Sequence, residues 1–97
     1  MKVTKVVIYP FDTSALGGQV KAMADVELEK ELLIKGFKVV VSKNKGVFVS
    51  YPSKRIQRGR YVDVVIPLSK ELKDEIREEI LKAYRENVES KGAGTWG

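Results

Sequence analysis

The residues best equipped for chemistry are crowded into one stretch of the chain. Between Lys35 and Arg60 stand Lys35, Lys38, Lys43, Lys45, Lys54, Arg55, Arg58 and Arg60, with no carboxylate among them. The segments on either side carry more acids than bases, so the formal charge of +5 belongs to this stretch. Fixed cations grouped this way neutralise phosphates and release condensed counterions, which drives binding to polyanions without reading a sequence. Arg55, Arg58 and Arg60 can also fork onto phosphate oxygens or guanine edges, which lysine cannot do. Two loops, 43–45 and 54–60, offer six of these cations, and a shared end of a sheet would merge them into one patch. Tyr51 and Tyr61 flank the second loop and have rings on which exposed bases stack, although the simpler reading is that both pack internally. The plain alternative for the charges is a solvated surface.

Other chemistry finds little to stand on. The chain has neither histidine nor cysteine, which removes the usual general bases near neutral pH, the thiolate nucleophile and sulfur-ligated metal. Ser50, Ser53 and Ser69 have no activating neighbour; Ser53 reads as a turn residue and Ser69 as a helix cap. Asp63 reads as the salt-bridge partner of Arg60 or Lys54. Asp74-Glu75 and Glu78-Glu79 read as the wet side of a helix rather than as metal ligands. Gly17-Gly18 cradles phosphate only if a helix follows, and a strand pattern follows instead. The expectation is a protein that is not an enzyme, with no cofactor, no metal and no small-molecule substrate. The apolar run at the start is too short for a signal segment, and none reaches the ~20 residues that span a bilayer. Absent cysteine and absent membrane segments together suggest a cytoplasmic protein with no membrane partner.

These residues need a scaffold, and the pattern predicts one. Residues 2–9 are rich in valine, isoleucine and tyrosine, and Pro10 closes a first strand. Phe11 to Gly18 reads as a loop. Val20, Ala22, Ala24, Val26 and Leu28 then alternate with polar residues, predicting a second strand with one wet face that forms a hairpin with the first. Leu32 to Ser42 predicts a third strand, with Leu33, Phe37, Val39 and Val41 sharing one parity; a short helix over 27–34 is the competing reading. Turn residues at 42–46 predict a second hairpin, leading to a strand through Val47, Val49 and Tyr51. Phe48 gives that strand an apolar second face, which a partner subunit would cover. After Pro52 come a basic loop over 53–60 and a strand over 61–66. Ser69 starts a helix with the stripe Leu72, Ile76, Ile80, Ala83, Tyr84 and Val88, supported by Glu78–Lys82 and Lys82–Glu86 pairs and ended by Gly92. The class is α+β: an antiparallel sheet of four to five strands with one long C-terminal amphipathic helix packed on one face. Residues 1–91 make one domain, and 92–97, with Trp96, a loose tail.

From Gly46 to Arg55, and again over Asp63-Val64-Val65-Ile66-Pro67-Leu68, the sequence resembles the SpoVG family, the stage V sporulation G or septation-regulator proteins. The likeness includes Lys21-Ala22-Met23-Ala24, Glu31-Leu32-Leu33-Ile34, and Ile76, Ile80, Leu81 and Tyr84. It implies a cytoplasmic homodimer that binds DNA and/or RNA and regulates gene expression, with roles in cell division, the cell cycle and sporulation. Lys54 and Arg55 match the family's basic pair, whereas Arg58 and Arg60 fall in its variable loop. On this reading Lys54 and Arg55 anchor phosphates, Arg58 and Arg60 assist, and Lys43 and Lys45 form the rim. The dimer would form around Val47, Val49 and Tyr51. The alternative is a protein-interaction module of the division machinery whose basic face docks an acidic protein.

Overall fold

The computed structural model describes residues 1–11, 19–42 and 46–92, with side chains to residue 87. Its elements are β1 (Val3–Pro10), β2 (Val20–Leu28), β3 (Leu32–Ser42), β4 (Gly46–Ser50), β5 (Ser53–Arg55), β6 (Tyr61–Asp63) and α1 (Lys70–Gly92). The first four strands form one antiparallel sheet in chain order, β1-β2-β3-β4, with the helix laid on one face. The α+β class and both predicted hairpins are therefore present. The loop expected at Phe11 to Gly18 lies beyond Phe11 outside the described residues, as do Lys43, Asn44 and Lys45 and the tail after Gly92.

The core follows from alternation. Ala22, Ala24, Val26 and Leu28 point one way from β2, meet Phe37 and Val39 of β3, and are closed over by Ile76 and Ile80 of α1. Side chains alternate across a pleated strand, so Ala22, Ala24, Val26 and Leu28 reach the same side, while a register shift before Ala22 sets Val20 opposite Val40 instead. Val6 and Ile8 extend this layer on β1, Val49 and Tyr51 on the other flank, and Leu72 and Tyr84 along the helix. Alanines in β2 let the helix approach closely, leaving the volume to Phe37 and the two isoleucines. Val88 of the predicted stripe lies beyond the described side chains.

The helix begins where its sequence says. Ser69 Oγ accepts the Leu72 N–H at 3.1 Å, the N-cap arrangement, and Glu71 sits in the first turn. Among the described residues its ion pair is Lys70–Asp74 at 2.8 Å, not the expected Glu78–Lys82 or Lys82–Glu86. Glu75 departs from the wet-side reading. Its carboxylate is half-buried and accepts the Val3 N–H at 2.6 Å, tying the helix to β1.

Two expectations about the sheet need correcting. Phe37 of β3 faces Ala24, but Ile34, not Lys35, faces Val26, so β3 carries one extra residue there. Gly36 supplies the positive φ of +100° that this bulge uses. The bulge reverses the parity: Ile34 joins the core, and Leu33 is 55% exposed. The wet face of β2 is also not wet throughout, since Asp25 is only 5% exposed. Its Oδ2 accepts from Lys35 Nζ at 3.1 Å, and its carboxylate pushes the Tyr9 phenol above its ordinary pKa. Buried charge is tolerated when paired and hydrogen-bonded, and the bulge brings Lys35 into reach.

The β2–β3 connection is a tight turn rather than a helix. Glu31 N–H bonds to Leu28 O at 3.0 Å, and both central residues, Glu29 and Lys30, have positive φ (55° and 58°). Those are the signs of a I′-type turn, whose twist suits a hairpin.

Candidate functional site

The basic stretch after Pro52 is an element of its own. Ser53–Arg55 and Tyr61–Asp63 pair antiparallel, Ser53 with Asp63, Lys54 with Val62 and Arg55 with Tyr61, in a two-stranded sheet separate from the main one. The expected loop over 53–60 instead supplies one arm and the tip of a hairpin, and the strand expected over 61–66 is cut to Tyr61–Asp63, its other arm. Its tip is tight: Ile56 N–H bonds to Arg60 O at 2.7 Å, and Arg60 N–H to Gln57 O at 3.4 Å. Arg58 (φ 64°, ψ 27°) and Gly59 (φ 73°) occupy the left-handed region together, again as a I′ turn requires. The signal was in the sequence. Arg58-Gly59 lies between Ser53-Lys54-Arg55 and Tyr61-Val62-Asp63, but the run of charge masks the strand pattern.

The arm is anchored by Pro52, which is buried and whose ring faces Gly36 of the β3 bulge. Val64 N–H returns to Pro52 O at 2.9 Å and closes the base. Nearby, Tyr51 meets Phe37 edge to face, with centroids 5.2 Å apart. Burial pushes the Tyr51 phenol above its ordinary pKa, against the pull of Arg77.

Lys54, Arg55, Arg58 and Arg60 are all exposed on this arm, and none takes part in an ion pair among the described residues. Asp63 pairs with neither Arg60 nor Lys54; it stands opposite Ser53. Lys54 and Arg55, adjacent in sequence, leave opposite faces of the ribbon because a strand alternates. Arg55 leans toward the tip: a methyl group placed on Gly59 would lie 3.7 Å from its Nη2. Arg58 and Arg60 border an open recess with Ile56 and Gln57. Three guanidinium groups therefore gather at the tip, with Lys54 on the other side.

Tyr61 was expected to pack and does not; it is 68% exposed, beside Arg55 by register. Tyr51 does pack. Lys43 and Lys45 lie outside the described residues, but of their flanking residues Ser42 ends β3 and Gly46 begins β4, while Pro52 follows the end of β4. The anchors of the two basic segments are thus about 20 Å apart at ~3.4 Å per residue. Of the expected interface residues, Val49 and Tyr51 are half-buried against the chain's own core, while Val47 is exposed. Exposed apolar groups continue past the arm as Val62, Val64, Ile66 and Leu68, the last 96% exposed. A groove of about 390 Å³ runs between β4 and this segment, lined by Ser50, Tyr51, Asp63, Ile66, Pro67 and Lys73 among others.

The arrangement offers a cation-tipped ribbon with an open ring beside it, and an apolar segment next to a free sheet edge. Among the described residues no group of acidic side chains is placed to hold a metal ion, and no helix is long and apolar enough to cross a membrane.

Comparison with known proteins agrees with the earlier resemblance. The SpoVG family model matches residues 1–86. A protein of Archaeoglobus fulgidus named "Putative septation protein SpoVG" is 44% identical over 85 residues, covering 88% of this chain and 95% of its own. Relatives of the same name in Staphylococcus saprophyticus and Staphylococcus aureus are 33% identical over 89 residues, covering 92% of this chain and 84% and 85% of theirs. With a match along nearly the whole sheet and most of the helix, this chain belongs to the SpoVG family.

Proposed function

We propose that this chain is a dimeric, cytoplasmic, non-enzymatic regulator that binds DNA and/or RNA through the hairpin arm. The observation that carries the reading is the set of four exposed cations on that arm, Lys54, Arg55, Arg58 and Arg60, none neutralised by a carboxylate among the described residues. A ribbon that holds arginines at its tip fixes their spacing, so less freedom is lost when they meet phosphates. The septation role in the relatives' names is proposed for this chain on family membership, and sporulation on the earlier resemblance alone.

Dimerisation is supported by apolar surface. Val47, Val62, Val64, Ile66 and Leu68 are exposed near the edge of β4, which is unpaired among the described residues, and water-facing apolar groups there gain from a partner. Val49 and Tyr51 would then support the interface from beneath rather than form it.

Fluorescence anisotropy with labelled DNA and RNA across a salt series tests the reading. The logarithm of the binding constant should fall linearly with the logarithm of salt, by about 0.7–0.9 per phosphate neutralised. Lys54→Ala/Arg55→Ala should reduce that slope by roughly two such steps and weaken binding at every salt concentration, with circular dichroism unchanged. Absence of binding by the wild type at ~50 mM salt would instead favour an acidic protein partner.

A further inference from the structure

The face of the main sheet turned away from α1 has no role in the hairpin arm. Register places Tyr9, Met23, Lys38 and Ser50 in one row across its four strands, and Val40 with Phe48 in the next. Tyr9 is 45% exposed and Phe48 40% exposed, while Met23, Lys38 and Val40 are half-buried. A sheet face that meets only water is usually written with threonine, lysine and glutamate. This one shows two rings and a thioether.

Charge is unevenly placed on it. Asp25 and Glu27, its carboxylates, lie toward the β2–β3 turn. Asp25 is buried and paired with Lys35, and Glu27 accepts from the Thr4 hydroxyl at 2.9 Å. Among the described residues, the half carrying Tyr9, Lys38, Val40 and Phe48 holds a cation and no acid. A second copy stacked with its two-fold axis through this half would set Lys38 near its own copy, which disfavours self-stacking there. Polyanionic ligands with flat apolar groups match both features.

We infer that this face is a stacking platform for the bases of single-stranded nucleic acid, with Tyr9 and Phe48 receiving them. The inference rests on the proposed reading and adds to it a ligand class, since duplex bases are already stacked on one another and present no free face. Tyr9 and Phe48 lie on the two edge strands, three strand spacings and one row or about 16 Å apart, a span for a few nucleotides. Lys38 lies between them, where a backbone phosphate would pass.

Anisotropy with a labelled thymidine oligonucleotide and a labelled mixed-sequence duplex decides the matter at one fixed salt concentration. Tyr9→Leu and Phe48→Leu keep apolar bulk and remove the ring. Each should weaken single-strand binding about tenfold and leave duplex binding within about twofold. Tyr9→Phe keeps the ring and should stay near wild type. Equal single-strand affinity in both leucine variants overturns the platform, as does an equal loss for duplex. Phe48→Leu, on an edge strand, serves should Tyr9→Leu unfold by circular dichroism. Failure of the wild type to bind either probe would defeat the underlying reading instead, so the two failures are separable.

Discussion

Arg58 is a costly place for an arginine. Its φ of 64° is in the left-handed region, where a residue with a Cβ costs about 1–2 kcal/mol relative to right-handed geometry. Asparagine suffers less there. Arg58→Asn should therefore raise stability by up to about 1 kcal/mol in urea unfolding while weakening polyanion binding, a trade of stability against function. Gly36 is the reverse case. A Cβ there would find room, 3.6 Å from Pro52, but φ of +100° strains any other residue, so Gly36→Ala should destabilise by roughly 1–2 kcal/mol. Tyr51 supplies a pH dependence. Burial makes its phenol hold the proton more tightly in the folded chain than in the unfolded one. That stabilisation is complete below the unfolded value of about 10 and is lost as pH rises through the folded value. Tyr51→Phe keeps the ring contact with Phe37 and should lessen the fall in melting temperature between neutral and strongly alkaline solution.

Among the elements, the helix and the first two hairpins were the most legible. Their signals are local: alternation in β2, turn residues near 42–46, and Ser69 three residues before Leu72. Ser69→Ala should cost about 1 kcal/mol in chemical denaturation, and Ser69→Asp should restore most of it. What stayed hidden depends on register. The extra residue at the β3 bulge cannot be read from β3 alone, because it is defined by which residue of β2 lies opposite. Leu33 and Ile34 therefore exchanged sides relative to the pattern. The arm was hidden for a different reason: its strands are three residues each, too short for alternation to stand out from a run of charge. The basic residues themselves were plain in the sequence. That Lys54 and Arg55 diverge, and that Tyr61 is open, required the ribbon.

At the scale of the molecule, the sheet has, among the described residues, two unpaired edges of unlike character. Interface substitutions at the β4 side, Val64→Glu with Ile66→Glu, should yield monomers in sedimentation if the proposed pair forms there, with the fold intact by circular dichroism. The β1 side is guarded. Pro10 is its last residue, and the Val3 N–H is already taken by Glu75. β4 has neither lysine nor proline in its five residues. Two chains joined β4 to β4 would use up both receptive borders and leave only guarded ones outside, so growth stops at a closed unit. Glu75→Ala would free a hydrogen-bond donor on that outer border, and slow fibre formation, seen as rising light scattering, is the expected result.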